Sequence, residues 1–274
     1  MSGYRLVAAC GLFIVLLVGT LRGQGKSTIG EVFASNNYSP MVANLDVTIR
    51  FYHDVLGVPL PDPPPVLPVV WDTESWRRDL HGLQGSPMRF ATLRVPSADP
   101  HEAQLGLELV EQGALPRHAA TPRPQDPGTA TLVLFVRDLD RVFARVLDSR
   151  TPIVTAGGRP IALRGDDIAR ALVIRDPDGH FVELAQPAKI PKLGGDLLGA
   201  RLRLTIADTE RTLHLYRDLF GLPFEVRAWD ADPAVGRLIG APGAHIRVST
   251  TQIPHVFAPH SVLRLELVEV SGVD

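Results

Sequence analysis

One short segment occurs twice in this chain, and the repeat limits the fold more than any other feature of its 274 residues. The segment FYHDVLGVPL at 51–60 returns as LYRDLFGLPFEV at 215–226. The offset that places Phe51 over Leu215 also places Asn44 over Asp208. Near the ends of the two copies, LELVEQ at 107–112 returns as LELVEV at 265–270. Residues 37–112 and 201–270 are therefore copies of one structural unit.

A weaker third copy lies between these two. VRDLDRVF at 136–143 repeats the start of the other helical segments, and VIRDPDGHFVELAQP at 173–187 predicts a closing hairpin. Its DPDG sequence has Asp, Pro and Gly at the positions that favour a type I turn. The second unit therefore covers 131–187. A polar, proline-rich segment at 115–128 precedes it, and residues 188–200 link it to the third unit.

Each unit has the same order of predicted elements. An alternating strand comes first, and Asn44, Asp138 or Asp208 then caps a helix by accepting free backbone N–H groups. Gly57 and Gly221 end the first and third helices, since glycine adopts the left-handed conformation at little cost. Short strands follow each helix, so each unit is predicted to be a βαβββ module.

Composition excludes several other classes of protein. The formal net charge is -2, which gives no electrostatic basis for binding nucleic acid. The single cysteine, Cys10, leaves the rest of the chain without a disulfide, a thiol nucleophile or a thiolate metal site.

The N-terminus is typical of a secretory signal peptide. Arg5 precedes an apolar run at 6–19, and small polar residues follow it, so we predict a signal peptide over 1–26. The mature protein is then exported, either to a periplasm or to the medium. The run is short for a membrane span, which needs roughly 20 apolar residues. An uncleaved N-terminal membrane anchor is the alternative, because no clean A-x-A cleavage site is present.

The motifs FYHDVLG and DPDGHFVEL resemble those of the vicinal oxygen chelate superfamily, which includes glyoxalase I, bleomycin-resistance proteins and extradiol dioxygenases. The resemblance covers nearly all of the chain after residue 36. It implies an α+β fold in which βαβββ modules pair into curved mixed sheets around a ligand cleft, often beside a divalent metal. The fold hosts many reactions, so the resemblance does not assign one.

With three modules, the expected architecture is one complete pair plus one unpaired module. We expect modules 37–112 and 131–187 to form a paired domain over 37–187, followed by the linker 188–200. The third module, at 201–274, is then half of a second domain. Such a half is predicted either to belong to a longer four-module protein or to pair across a homodimer through the third module.

The resemblance also indicates where a ligand site would lie. Metal-binding members take ligands from the start of the first strand and from a glutamate in the last strand. This implies Glu108 and Glu183 as metal ligands, with Asn37 and Thr131 at the first-strand positions. His180 follows the DPDG turn, so we expect it, with Asn37 and Thr131, to contact the ligand. The implied metal is Mg²⁺, Mn²⁺, Ca²⁺, iron or Zn²⁺, and oxygen ligands suit the first three best.

The third module differs at the same positions. Arg201 occupies its first-strand position, and Arg264 lies on the same strand face as Glu266. A cation there competes with any metal, so we interpret this trio as an ion-pair cluster. Glu108 and Glu183 have a second interpretation, as solvated or salt-bridged strand residues.

Two functions remain open, and no catalytic residue is assigned. The first is an exported glyoxalase/dioxygenase-like protein that binds a small oxygen-rich molecule in a concave cleft. The alternative is a metal-dependent lyase, isomerase or extradiol-type dioxygenase, in which a metal polarises a carbonyl and a glutamate moves a proton. The lack of histidine at the first-strand positions favours the first function. The last-strand glutamates are consistent with the metal-dependent alternative, which therefore stays open.

Overall fold

The structure is a computed structural model that describes residues 36–72, 86–114, 121–165, 167–255 and 258–273. The predicted signal peptide over 1–26 lies outside these residues. Within the described ranges, no helix is long and apolar enough to cross a membrane. The fold is α+β, with short helices packed on mixed sheets, as expected.

Short strands and helices follow one another in each repeat unit. The first unit contains β1 (Asn37–Tyr38), β2 (Met41–Val42), α1 (Leu45–Arg50), β3 (Met88–Val95) and β4 (Leu105–Gln112). The second contains β5 (Ala130–Val136), α2 (Leu139–Asp148), β6 (Ile161–Ala162), β7 (Ile168–Arg175) and β8 (Phe181–Pro187). The third contains β9 (Leu197–Ile206), α3 (Thr209–Leu213), β10 (Glu225–Val226), α4 (Pro233–Leu238), β11 (His245–His255) and β12 (Ala258–Ser271). A π-helical segment continues α1 over Phe51–Val55 and α3 over His214–Leu219.

The predicted helix caps are confirmed. The side chains of Asn44, Asp138 and Asp208 each accept a backbone N–H from three residues further on, at 3.2, 3.0 and 2.8 Å. Gly57 and Gly221 follow the first and third helical segments with φ of 79° and 68°. Glycine adopts positive φ values without the steric cost that a side chain would add, so the chain turns into the next segment at these two positions.

The strands form two sheets. In the smaller one, β4 pairs in parallel with β1 and β2 on one side and antiparallel with β3 on the other. The larger sheet has eight strands in the order β10-β11-β12-β9-β5-β8-β7-β6. At its centre β5 and β9 run antiparallel, in register from Ala130 opposite Leu204 to Phe135 opposite Gly199, and the register shifts before Val136, which is opposite Leu197. The second and third units therefore share one continuous sheet.

This strand order corrects the expected pairing of the units. The sequence led us to join 37–112 with 131–187 and to leave the third unit unpaired, but β9 of the third unit pairs with β5 of the second. The first strand of the first unit is broken into β1 and β2 around Pro40, which has no N–H to donate to a neighbouring strand. The predicted linker 188–200 also overlaps β9, which begins at Leu197. The expected homodimer through an unpaired third module therefore loses its premise.

The two faces of the eight-stranded sheet carry different side chains, because successive residues of a strand point to opposite faces. One face packs against the helices in the main core, which includes Leu132, Leu184 and Leu202. The same core contains residues of the first unit, so the smaller sheet packs against the helical side of the assembly. The other face carries polar side chains, and it forms the floor of a cleft.

Specific contacts hold the first unit against the second. The Tyr52 hydroxyl donates to Asp176 Oδ2 at 3.1 Å, and the Thr48 hydroxyl donates to Asp178 Oδ2 at 2.6 Å. Both acceptors lie in the DPDG turn. This turn therefore closes the hairpin between β7 and β8 and also anchors α1.

Candidate functional site

The eight-stranded sheet borders a cleft of about 1160 Å³ between the second and third units. Its floor comes from β9, β11 and β12, and one wall comes from residues 163–165, 167 and 168 of the second unit. Helix α4 covers one side of the cleft. The Thr155 hydroxyl donates to the carbonyl of Leu238 at 2.9 Å, and the Ala156 N–H donates to the carbonyl of Arg237 at 2.9 Å. These bonds attach α4, an element of the third unit, to the second unit.

Arg203 lies between two glutamates on the floor of the cleft. Its Nη1 forms a short ion pair with Glu183 Oε2, and its Nε and Nη2 each lie 3.0 Å from Glu266 Oε2. The strand register produces this arrangement, since Arg203 is directly opposite Glu266 on β12 and opposite Thr131 on β5. Glu183 is 1% exposed and Glu266 is 8% exposed, so the interaction is largely removed from water.

Two more arginines extend this group. Arg201 Nη1 lies 3.5 Å from Glu266 Oε1, and its Nη2 lies 3.8 Å from Glu102 Oε1. Arg264 Nε lies 2.5 Å from the same oxygen of Glu102, which follows β3 of the first unit. We call these three arginines and three glutamates the ion cluster. The predicted ion pair between Arg201 and Glu266 is confirmed, whereas Arg264 pairs with Glu102, and the prediction missed Arg203, the central cation.

The two glutamates beside Arg203 differ in acidity. Burial raises the pKa of Glu183 above its ordinary value, although the charge of Arg203 opposes the shift. Burial also acts on Glu266, but Arg203 and Arg201 together hold its pKa below the ordinary value. The difference follows from the number of cations, because Glu266 faces two arginines and Glu183 faces one.

Three polar atoms of the ion cluster are buried without a well-aligned hydrogen-bond partner. They are Oε1 of Glu183 and the Nε atoms of Arg201 and Arg264, although Arg264 Nε lies close to Glu102. The Arg201 guanidinium also stacks on the ring of Phe135, at 4.7 Å from the ring centroid. Glu183 borders a second, smaller cavity of about 100 Å³ behind the cleft. The ion cluster therefore leaves one acceptor and two N–H donors buried without a well-aligned partner.

The residues proposed from the sequence divide between the two sheets. Asn37 and Glu108 lie in the smaller sheet, where Glu108 Oε2 accepts a hydrogen bond from the Ser39 hydroxyl at 2.8 Å. Thr131 and Glu183 lie in the larger sheet, and both border the small cavity. The structure therefore does not bring Glu108 and Glu183 together in one site.

His180 lies at the contact between the first two units. Its Nδ1 is 3.3 Å from Asp176 Oδ2, the oxygen that also accepts the Tyr52 hydroxyl. Its backbone N–H donates to Asp176 Oδ1 at 2.8 Å. His180 lines neither the cleft nor the small cavity, so its expected contact with a ligand is not supported by its position.

The donor set of the cleft does not fit a divalent metal. The space between Glu183 and Glu266, where a cation would be held, is taken by the guanidinium of Arg203. Among the described residues, no group of three His, Cys, Asp or Glu side chains is placed to hold a metal ion. An arginine supplies the positive charge that two carboxylates require, and a metal would have to displace it.

Comparison with known proteins defines the class of this protein. The model of the Glyoxalase/Bleomycin resistance protein/Dioxygenase superfamily matches residues 36–184, which is more than half of the chain. The chain therefore belongs to this superfamily, and the resemblance read from the sequence motifs is confirmed. No curated protein matches the chain significantly.

Several solved structures match large parts of this chain at low sequence identity. A glyoxalase I variant from Zea mays has 14% sequence identity, with 87% of this chain and 68% of that chain covered and a TM-score of 0.49. A glyoxalase family protein from Bacillus cereus has 20% identity, with 61% of this chain and 100% of that chain covered and a TM-score of 0.46. An antibiotic binding protein from Streptomyces has 18% identity, with 57% and 98% covered and a TM-score of 0.32. These identities are too low to transfer an activity.

Proposed function

We propose that this chain is an exported protein that binds a small, oxygen-rich anion in the cleft of the eight-stranded sheet without using a divalent metal. The observation that carries the proposal is the position of Arg203 between Glu183 and Glu266. The two carboxylates are already neutralised by arginine, so the polar floor is organised before any ligand arrives. Export is proposed from the signal-peptide pattern at 1–26.

Arg201 is the cation best placed to receive the anion. Its two contacts with carboxylates, at 3.5 and 3.8 Å, are longer than those of Arg203, and the residue lines the cleft. Guanidinium groups bind carboxylate and phosphate oxygens through paired N–H donors. Thr250 and Gln252 also border the cleft and can contribute further polar contacts.

Two other ion pairs at the cleft are more exposed than those of its floor. Arg227 lies 3.7 Å from Asp167, and Arg164 lies 3.8 Å from Asp232. Each pair joins the second unit to the third, and each has at least one highly exposed member, so both pairs are weak. They can separate to admit a ligand at little cost, which leaves the buried floor as the determinant of affinity.

The test measures binding of small aliphatic and aromatic carboxylates, each compared with its primary amide, by calorimetry or protein-observed NMR. We expect a carboxylate to bind more tightly than its amide. Arg201→Gln should weaken the carboxylate about tenfold or more, because a hydrogen bond to a charged group contributes about 1.5–3 kcal/mol. Arg141→Gln is the matched control, since Arg141 pairs with Asp196 on the surface and does not line the cleft.

Two results would contradict the proposal. One is equal binding of carboxylates and amides, which would mean that the cleft does not recognise the negative charge of the ligand. The other is tight binding of Mn²⁺ or Zn²⁺ to the wild-type cleft, detected by calorimetry and lost in Glu183→Gln. That second result would support the metal-dependent lyase, isomerase or dioxygenase instead.

A further inference from the structure

We propose that the small cavity behind the cleft holds an apolar end of the ligand that carries one neutral N–H or O–H donor, and that Glu183 Oε1 accepts this donor. The inference rests on the proposed function, because it concerns the buried part of the same ligand. It specifies the chemical class of the ligand: an anion with an apolar group that ends in a neutral hydrogen-bond donor.

The cavity adjoins the cleft. It has a volume of about 100 Å³, which is several times the roughly 10–15 Å³ that one water molecule requires. The side chains that border both spaces are Leu163, Ile168, Arg203, Val235 and Ile246. One molecule can therefore occupy both spaces if it passes Arg203.

Most of the cavity wall is apolar. Val173, Leu238 and Val268 are each at most 5% exposed and belong to this wall. Of its polar members, Thr205 already donates its hydroxyl to the carbonyl of Pro124 at 2.7 Å. Apolar walls favour an apolar group of the ligand over water, because burial of apolar surface is favourable.

Glu183 belongs to this wall, and one of its carboxylate oxygens is buried without a partner. Its Oε2 is engaged by Arg203, whereas its Oε1 is buried without a partner. A buried carboxylate oxygen without a donor is unfavourable, so a ligand that supplies a donor gains more here than in water. The geometry thus selects a ligand group with an N–H or O–H directed at Oε1.

The surrounding charges favour a neutral donor over a cationic one. Glu183 and Glu266 face Arg203 and Arg201, so these four charges already balance. An ammonium group in the cavity would add a second cation beside Arg203 in a poorly hydrated space, where like charges repel strongly. A hydroxyl, an amide N–H or a ring N–H carries no such penalty.

Pyrrole and furan are the probes for this inference, because the two rings have nearly the same shape and only pyrrole carries an N–H. Binding is followed by the methyl NMR signals of Val173, Leu238 and Val268. We expect the full chain to bind pyrrole at least tenfold more tightly than furan. In Glu183→Gln the amide oxygen should keep the bond from Arg203 and turn its NH₂ towards the cavity. The preference for pyrrole should then be lost.

Two further variants separate recognition from folding. Glu269 lies elsewhere on β12 and pairs with Arg247 of β11. Glu269→Gln should leave the preference for pyrrole unchanged. Val268→Leu fills the cavity while retaining Glu183, and it should weaken both probes alike. Amide spectra of each variant show that it is folded.

The outcomes distinguish this inference from the proposed function. Equal binding of pyrrole and furan to the wild-type chain overturns the inference, and so does tighter binding of propylammonium than of pyrrole in the cavity. If carboxylates bind through Arg201 while pyrrole does not bind, the inference is wrong and the proposed function stands. If pyrrole binds through Glu183 and carboxylates do not bind, the cavity is a donor site and the proposed anion is wrong.

Discussion

Replacement of Arg203 by methionine tests whether the ion cluster has the energetic role that its geometry indicates. Methionine retains an apolar stem of similar length but removes the charge that Glu183 and Glu266 share. The side chain of Glu183 is only 1% exposed, so its carboxylate cannot recover the lost interaction from water. The variant is therefore left with two neighbouring carboxylates and one fewer cation.

The expected loss of stability follows from this burial. Removal of one partner from a buried ion pair costs about 3–5 kcal/mol. Arg203 is itself 18% exposed and Glu266 keeps Arg201, so we expect the lower end, about 3 kcal/mol near pH 8. Without Arg203 the folded-state pKa of Glu183 rises further above its unfolded value. A carboxyl with a raised folded-state pKa is penalised as the pH rises through that range, so the loss should shrink to about half near pH 5.

Urea unfolding at these two pH values, followed by circular dichroism, measures the loss directly. Arg141→Met is the control, because Arg141 and Asp196 are 64% and 61% exposed and such a pair contributes only about 0–1 kcal/mol. The reasoning is refuted if Arg203→Met costs no more than this control. It is also refuted if the cost is the same at both pH values, since Glu183 would then not be the group left uncompensated.

Two other predictions concern contacts outside the cleft. Tyr52→Phe removes the hydroxyl that donates to the buried Asp176, so it should destabilise the chain by about 1–2 kcal/mol in urea unfolding; no change would mean that this bond is not formed in solution. Burial acts on Glu269, but hydrogen bonds from Thr209 and Arg247 hold its pKa below the ordinary value of 4.5. Its contribution is therefore lost as the pH falls through the depressed folded-state pKa, and Glu269→Gln should flatten the acid limb of stability against pH. An unchanged acid limb would contradict this.

Glu269 belongs to an arrangement that recurs in every unit and that links the last strand to the helix. In the first unit Glu111 accepts from the first N–H of α1 and pairs with Arg89, with both contacts at 2.7 Å. In the third unit Glu269 accepts from the first N–H of α3 and pairs with Arg247 at 2.7 Å. In the second unit Gln186 accepts from the first N–H of α2 at 3.1 Å. The arrangement fixes each helix against its own sheet, and it uses the favourable position of an acceptor at a helix N-terminus.

The repeated sequence LELVE contained enough information to separate these two kinds of glutamate. Its two glutamates are three residues apart, so they point to opposite faces of the strand. Glu111 and Glu269 face the helices, and Glu108 and Glu266 face the other side. Sequence reasoning examined the second pair because the family resemblance pointed to it, and it missed the first pair, whose role is structural.

Local features of the fold were predictable because short-range chemistry determines them. The capping side chains, the glycines after the helices and the DPDG turn all act on backbone groups within a few residues. Arg203 was also accessible in principle, since it lies two residues from Arg201 in RLRLTI and therefore shares its strand face. The pairing of the units could not be predicted from local sequence, because the first strand of each of the three units presents a free edge to the other two.

The charges on the first strands give a physical reason for the pairing that the structure adopts. Under the offset that relates the units, Arg203 corresponds to Ser39 in the first unit and to Val133 in the second. Val133 lies directly opposite Glu183 and offers no polar group, so Glu183 must obtain its counter-charge from another strand. β9 brings Arg203 to Glu183, whereas the broken first strand of the first unit would bring only the hydroxyl of Ser39, which lies between β1 and β2. A buried carboxylate without a cation is strongly unfavourable, so Glu183 favours β9 as the neighbour of β5. The residue that shapes the site thus also selects which two units form it.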